Sequence, residues 1–288
     1  MTLAVPSEVA QLERAATRIE TACGSGSMAW RRWGLGTPLV LLHGGSGSWT
    51  HWLRNIPALA KAGRQVWVPD LPGFGESAMP PAGGDADAIV EPLLAGLNQL
   101  LPGPFDLVGF SFGSLVATLA AERTARVSRL LLAGAPVLPL QSGKGVEMLP
   151  WRHLASQHER DAVHARNLRA MMLHRPESIT PAAIALHAAN VPRDRMRRRR
   201  LVTTRLLADT LARLRCPTWM LYGAEDVLYR GRWSEVRACV AAMPHVRELV
   251  FLGDAGHWLQ FEDAEAFNRY LLAALQQPGG AAVSVAAR

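Results

Sequence analysis

Six short apolar runs, each closed by Gly, Asp or Ser, recur along this chain and constrain its fold more than any other feature. They are TPLVLLHGG from residue 37, QVWVPDLPG from 65, FDLVGFS from 105, VSRLLLAGAP from 127, CPTWMLYGAED from 216 and RELVFLGDAGH from 247. Unbroken apolar runs of this length read as strands of a largely parallel sheet, buried on both faces. Helix-length segments such as EPLLAGLNQLL and SLVATLAAERTA lie between several of them, which is the alternation of a doubly wound α/β fold. Ligands then belong at the carboxyl ends of the strands. Upstream, RIETACGSGSMAWRRW reads as two strands joined at a Gly-Ser turn, forming an antiparallel edge.

The alternation stops between Val137 and Leu201, about 65 residues with helical patterns and no convincing strand. ITPAAIALHAAN sets Thr180 at an N-cap position before Pro181, and NLRAMML places Leu168, Met171 and Met172 on one face. This predicts a helical insertion over the sheet. LVTTRLLADTLARL, with leucines at 207, 211 and 214, predicts a return to a sheet-packing helix. The tail after Pro278 is expected to fray.

Composition narrows the function. Apolar residues make up 49% and charged residues 19% of the 288, which excludes a largely disordered chain. The longest apolar run, LLLAGAPVLPL, falls far short of the ~20 residues of a membrane span, and the N-terminus lacks a basic leader and apolar core. A cytoplasmic protein without a membrane partner is expected. Three widely spaced cysteines, Cys23, Cys216 and Cys239, with no CxxC pair, point to structural thiols rather than disulfides or a metal site. Much of the net charge of +7 comes from RDRMRRRR at 193–200, read as a solvated helix face, with steering of an anionic substrate as the alternative. No nucleic-acid-binding motif accompanies it.

Chemistry concentrates at GFSFG, residues 109–113, a G-x-S-x-G between a strand and a helix-forming run. Gly109 and Gly113 permit the tight strand-to-helix turn that exposes Ser111 as a nucleophile. Serine needs a general base and the base needs an orienting acid. His257 in GDAGHW and Asp226 in YGAEDVL follow the last two strands, in the chain order Ser, Asp, His; Glu225 competes for the acid role. The glycine-rich turn HGGSGSW supplies Gly45, whose amide joins that of Phe112 as the oxyanion hole, with Gly44 and Ser46 of the same turn facing the substrate. That turn matches neither the P-loop nor the G-x-G-x-x-G pattern. Phe110, Phe112, Met171 and Met172 would furnish a mainly apolar pocket.

HGGSGSW, DLPGFGES, GFSFGS, GAEDVL and GHWLQFEDAEAFNRYL stand in the order seen in α/β-hydrolases, and the chain resembles a capped member of that superfamily over almost its whole length. The resemblance implies an eight-stranded, mostly parallel sheet, a helical cap after strand 6 and no cofactor. Its expected divisions are core 1–136, cap 137–201, core 202–277 and a tail at 278–288. The nearest similarity is to the carbon-carbon bond hydrolases of meta-ring-fission products, by which Trp258 would line the acyl side of the pocket. Two positions depart from them: Phe110 stands where they carry Asn, and His187 near where they carry a cap arginine. The departures shift weight toward an uncharged ester or related acyl substrate. Ser111 argues against the dehalogenases and epoxide hydrolases of this fold, which use Asp; haloperoxidase, lactonase and silent binding-protein readings stay open, as does self-association.

Overall fold

All six apolar runs form strands, and the Gly-Ser turn joins two more. The computed structural model describes residues 3–139, 146–196 and 199–277. Its strands are β1 (Thr17–Cys23), β2 (Gly26–Trp33), β3 (Thr37–Leu42), β4 (Arg64–Pro69), β5 (Phe105–Phe110), β6 (Val127–Ala133), β7 (Thr218–Gly223) and β8 (Val246–Leu252). The helices are α1 (Ser7–Ala15), α2 (Ile56–Lys61), α3 (Ala86–Leu100), α4 (Phe112–Glu122), α5 (Gln157–Met171), α6 (Pro181–Asn190), α7 (Leu206–Leu211), α8 (Trp233–Ala241), α9 (Leu259–Glu262) and α10 (Ala264–Gln276).

These strands make one eight-stranded sheet in the order β1-β2-β4-β3-β5-β6-β7-β8. The β1–β2 and β2–β4 pairs are antiparallel and every other pair is parallel. β3 has β4 on one side and β5 on the other, so the chain reverses its direction of travel there and the loops after β3 and β5 part above the sheet. Such a switch point is where α/β sheets open a crevice. β5 and β7 are buried at every residue, as two-faced packing requires, whereas edge strand β1 is largely exposed. One apolar layer packs Leu93, Leu115 and Leu211 against one face, and the other packs Ile56, Leu59 and Leu271 against the opposite face. Helix α4 is buried from Phe112 through Ala121, which its Ala, Gly and Ser content permits at close range.

Between β6 and β7 no strand occurs among the described residues. Ser156 and Glu159 form a reciprocal capping box at the start of α5. Thr180 caps α6 by accepting from the Ala183 amide, with Pro181 opening the helix. The last helix of this stretch is shorter than its leucine pattern predicts. The Thr204 hydroxyl accepts the Leu206 amide and starts α7 late, and three-residue turns at Arg213 and Leu214 end it early. Leu207, Leu211 and Leu214 are nonetheless buried.

The basic run departs from expectation. Val191–Arg193 is a single 3₁₀ turn, and Asp194 accepts from the Met196 amide two residues on, a turn that interrupts any helix. Met196 is buried against Gly73, and Arg195 donates to the carbonyls of Gly75 and Ser77. Residues 194–196 thus form a strap laid across the loop after β4. Arg197 and Arg198 lie outside the described residues, as do positions 140–145 of the expected cap and the expected tail at 278–288. No described helix is long and apolar enough to cross a membrane.

Candidate active site

Ser111 sits between β5 and α4 with φ 52° and ψ −117°, in the left-handed half of backbone space that non-glycine residues rarely enter. The strain persists because neighbouring backbone over-determines the turn. A side-chain carbon on Gly109 would stand 2.5 Å from the Gly113 carbonyl oxygen and 2.6 Å from the Ser114 Cα. One on Gly113 would collide with the His43 carbonyl and stand 2.6 Å from that of Leu42. Both glycines are therefore steric requirements of the turn. Although Ser111 holds the N-cap position of α4, its side chain makes no capping bond.

Its hydroxyl turns instead to His257, whose Nε2 lies 2.8 Å from the Ser111 Oγ. The His257 Nδ1 lies 2.7 Å from Asp226 Oδ2. A carboxylate only accepts, so the proton belongs on Nδ1 and the Nε2 lone pair faces the serine hydroxyl. His257 and Asp226 are buried, and the Leu228 amide donates to the second Asp226 oxygen at 3.0 Å. Glu225, the rival acid, points away toward Arg230 and His174, at 3.5 Å and 4.0 Å.

The loop carrying His257 is held from behind by Glu262, which accepts amides from Gly256 at 2.6 Å, His174 at 3.1 Å and Arg175 at 2.7 Å. The Trp258 amide donates to the Met172 carbonyl at 2.7 Å, tying the same loop to the end of α5.

A cavity of about 1110 Å³ opens over Ser111 and His257, with Gly45, Ser46, Phe110, Phe112, Met171 and Met172 among its walls. A smaller one of about 470 Å³ adjoins it across Met171, Met172 and His257. The Phe112 amide is the first of α4, among the N–H groups no helical carbonyl can reach, where the helix dipole favours negative charge. Gly44 and Trp258, expected to face substrate, stand one layer behind the cavity wall. Trp258 is buried because its ring stacks on Phe261 at 4.1 Å and its indole N–H donates to the His51 carbonyl at 3.1 Å. Gly44 lies under the Phe110 ring, its amide donating to His51 Nδ1 at 3.3 Å.

Sequence reasoning missed the wall residue His51; it met His187 only as a departure from a cap arginine, and Asp194 and Arg199 only within the basic run. Burial keeps two of the cavity histidines neutral: the His51 pKa is pushed well below the usual imidazole value, and that of His187 to about 3. Below the turn, buried Arg31 pairs with Asp70 at 3.4 Å and Glu13 at 2.6 Å, and the other Asp70 oxygen accepts the Trp49 amide at 2.8 Å. The DLPGFGES stretch thus shapes the loops. No cluster of metal-ligating side chains occurs among the described residues.

A strained serine after β5, a buried imidazole after β8 and a carboxylate after β7 define the frame of a known class, and the sequence model of the alpha/beta hydrolase family matches residues 39–270. The chain belongs to that family. It is 33% identical over 256 residues to the dihydrolipoyllysine-residue acetyltransferase component of the acetoin cleaving system of Pseudomonas putida, covering 84% of this chain; it spans 64% of that protein's length. It is 31% identical to the 2-hydroxymuconate semialdehyde hydrolase of Pseudomonas sp. strain CF600, covering 87% of this chain and 91% of that one. Among solved structures, a meta-cleavage product hydrolase from Pseudomonas fluorescens IP01 superposes with a TM-score of 0.73 at 23% identity, covering 90% of this chain and 97% of that one.

Proposed function

We propose that this protein is a serine hydrolase that cleaves a carboxylic ester or related small acyl compound. The observation that carries the reading is the unbroken chain of hydrogen bonds from Ser111 through His257 to Asp226. His257 Nε2 takes the hydroxyl proton as Oγ attacks the acyl carbonyl, and the carbonyl electron pair moves onto oxygen. Amides of Gly45 and Phe112 receive that oxyanion, each such donor contributing roughly 3 kcal/mol to the barrier reduction. Collapse expels the alcohol, which takes the proton from His257, and water then repeats the sequence to release the acid. Asp226 fixes the Nδ1–H tautomer and stabilises the imidazolium. No metal or cofactor enters these steps, and residues 137–201 act as the cap that closes the pocket.

An uncharged acyl portion suits the part of the cavity wall formed by the Phe110 ring and the neutral His187, while Arg152, Arg199, Arg230 and Arg232 line other parts of it. Ser111→Ala tests the assignment: hydrolysis of an aryl-ester panel falls by about 10³-fold or more and fluorophosphonate labelling disappears. Retained activity would overturn it, and a wild-type protein that fluorophosphonate never labels would instead be a silent binding member of the fold. Carbon-carbon hydrolysis of a ring-fission dienoate is the second reading, favoured by the 31% identity to the semialdehyde hydrolase. Faster turnover of a 2-hydroxy-6-oxo-dienoate than of any ester would establish it.

A further inference from the structure

Ser46 and Ser111 are the non-glycine residues with positive φ among those described, Ser46 at 54°. Ser111 is strained by close-packed backbone, but Ser46 follows the proposed oxyanion donor Gly45 in an open turn. Its geometry is held by the side chains of Asp194, in the strap, and of Arg199. Asp194 Oδ2 accepts the Ser46 hydroxyl at 2.7 Å and pairs with Arg199 Nη1 at 3.1 Å. Asp194 is itself anchored, its other oxygen accepting the Met196 amide at 3.1 Å, with Met196 buried. The guanidinium of Arg199 fills the space a side chain on Gly45 would occupy and lies 6.0 Å from the Phe112 ring centroid. One cation therefore sits against both residues whose amides are assigned to the oxyanion.

We propose that Asp194 and Arg199 are positioning residues for the oxyanion hole: they lock the Gly45–Ser46 turn in its strained, donor-inward form and set a positive charge beside the site of developing negative charge. This rests on the hydrolase reading above. Preorganised donors stabilise charge because they need not reorient as it forms, so a turn left free to relax loses that advantage. The ion pair is mostly shielded from water, with Asp194 8% and Arg199 28% exposed, so its field is weakly screened.

The test compares Arg199→Ala and Asp194→Asn with wild type on one aryl ester, measuring kcat, KM and the inhibition constant of an arylboronic acid, whose tetrahedral adduct with Ser111 carries the oxyanion charge. Expected are a kcat lowered about 10- to 100-fold, KM within about threefold, and boronate inhibition weakened in step with kcat. Arg195→Ala removes only side-chain bonds to the β4 loop, leaving Asp194 anchored through the Met196 amide and the strap through its own backbone; it should lower the melting temperature and leave kcat within about twofold. Unchanged kcat in both brace variants, with wild type active, overturns the inference alone. A loss confined to KM overturns it too, reassigning Arg199 to substrate binding. A wild type that neither hydrolyses esters nor reacts with fluorophosphonate removes the hydrolase reading and this inference with it.

Discussion

The floor and the roof of the cavity are built by different means. At the floor, Ser111 is held by backbone against backbone: glycine to carbonyl, and the Ser111 amide to the Ala133 carbonyl at 2.8 Å. At the roof, α6 and the strap are joined to the core largely by side chains, with the Arg195 amide donating to the Gly73 carbonyl at 2.9 Å as a backbone addition. Asn190 shares its amide with Ser48 and Thr50, and Asp194 grips Ser46. Contacts of the first kind admit no substitution, and those of the second can be exchanged one at a time. On the proposed hydrolase reading, the floor fixes where the reaction happens and the roof governs what is admitted.

The largest effect should come from the floor. Asp226→Asn, leaving His257 without its carboxylate, should lower kcat by about 10⁴-fold, whereas Glu225→Gln stays within about threefold; equal losses in single-turnover assays would erase the distinction between the two acids. Next is Gly113→Ala, whose new methyl collides with the His43 carbonyl. It should cost more than about 3 kcal/mol in urea unfolding, while Ala at Gly103, where an added carbon meets open space, costs nothing comparable. Intermediate in size is Glu262→Gln at the seam of floor and roof. It weakens charge-assisted bonds to three amides and should cost about 2 kcal/mol together with a several-fold loss of kcat. Asn190→Ala, a roof contact, should cost about 1–2 kcal/mol and act on KM more than on kcat.

The effect that is smallest at neutral pH concerns His187 and grows only in acid. The folded-state pKa of His187 is lowered to about 3 by burial, below its unfolded value near 6.5. Between those values the unfolded chain binds the extra proton, so stability falls as pH drops from about 6.5 toward 3. His187→Asn should flatten that limb of a melting-temperature profile, and an unchanged slope would show that His187 does not contribute to it.

Ser111, His257 and Asp226 were legible because each follows a strand, and strands announce themselves by apolar runs. The sheet was legible for the same reason, down to the antiparallel edge. The roof was not. Arg199 meets Ser46 across 153 positions, and no periodicity links them. Periodicity also misled at the leucines of α7, since burial needs only that Leu207, Leu211 and Leu214 face one way, which a short helix and a turn achieve as well as a long helix. Trp258 reads as a pocket wall through the resemblance to the ring-fission hydrolases; the stacking on Phe261 that withdraws it from the cavity exists only in three dimensions.

The tether between Trp258 and Met172, with Glu262 bridging Gly256 to His174 and Arg175, bears on recombination between relatives. A chimera that imports the helices between β6 and β7 as a cassette would separate residues 172–175 from the partners at 256–262 to which they are bonded. The crossover unit is therefore discontinuous, and a graft intended to change specificity has to carry both stretches or leave both behind.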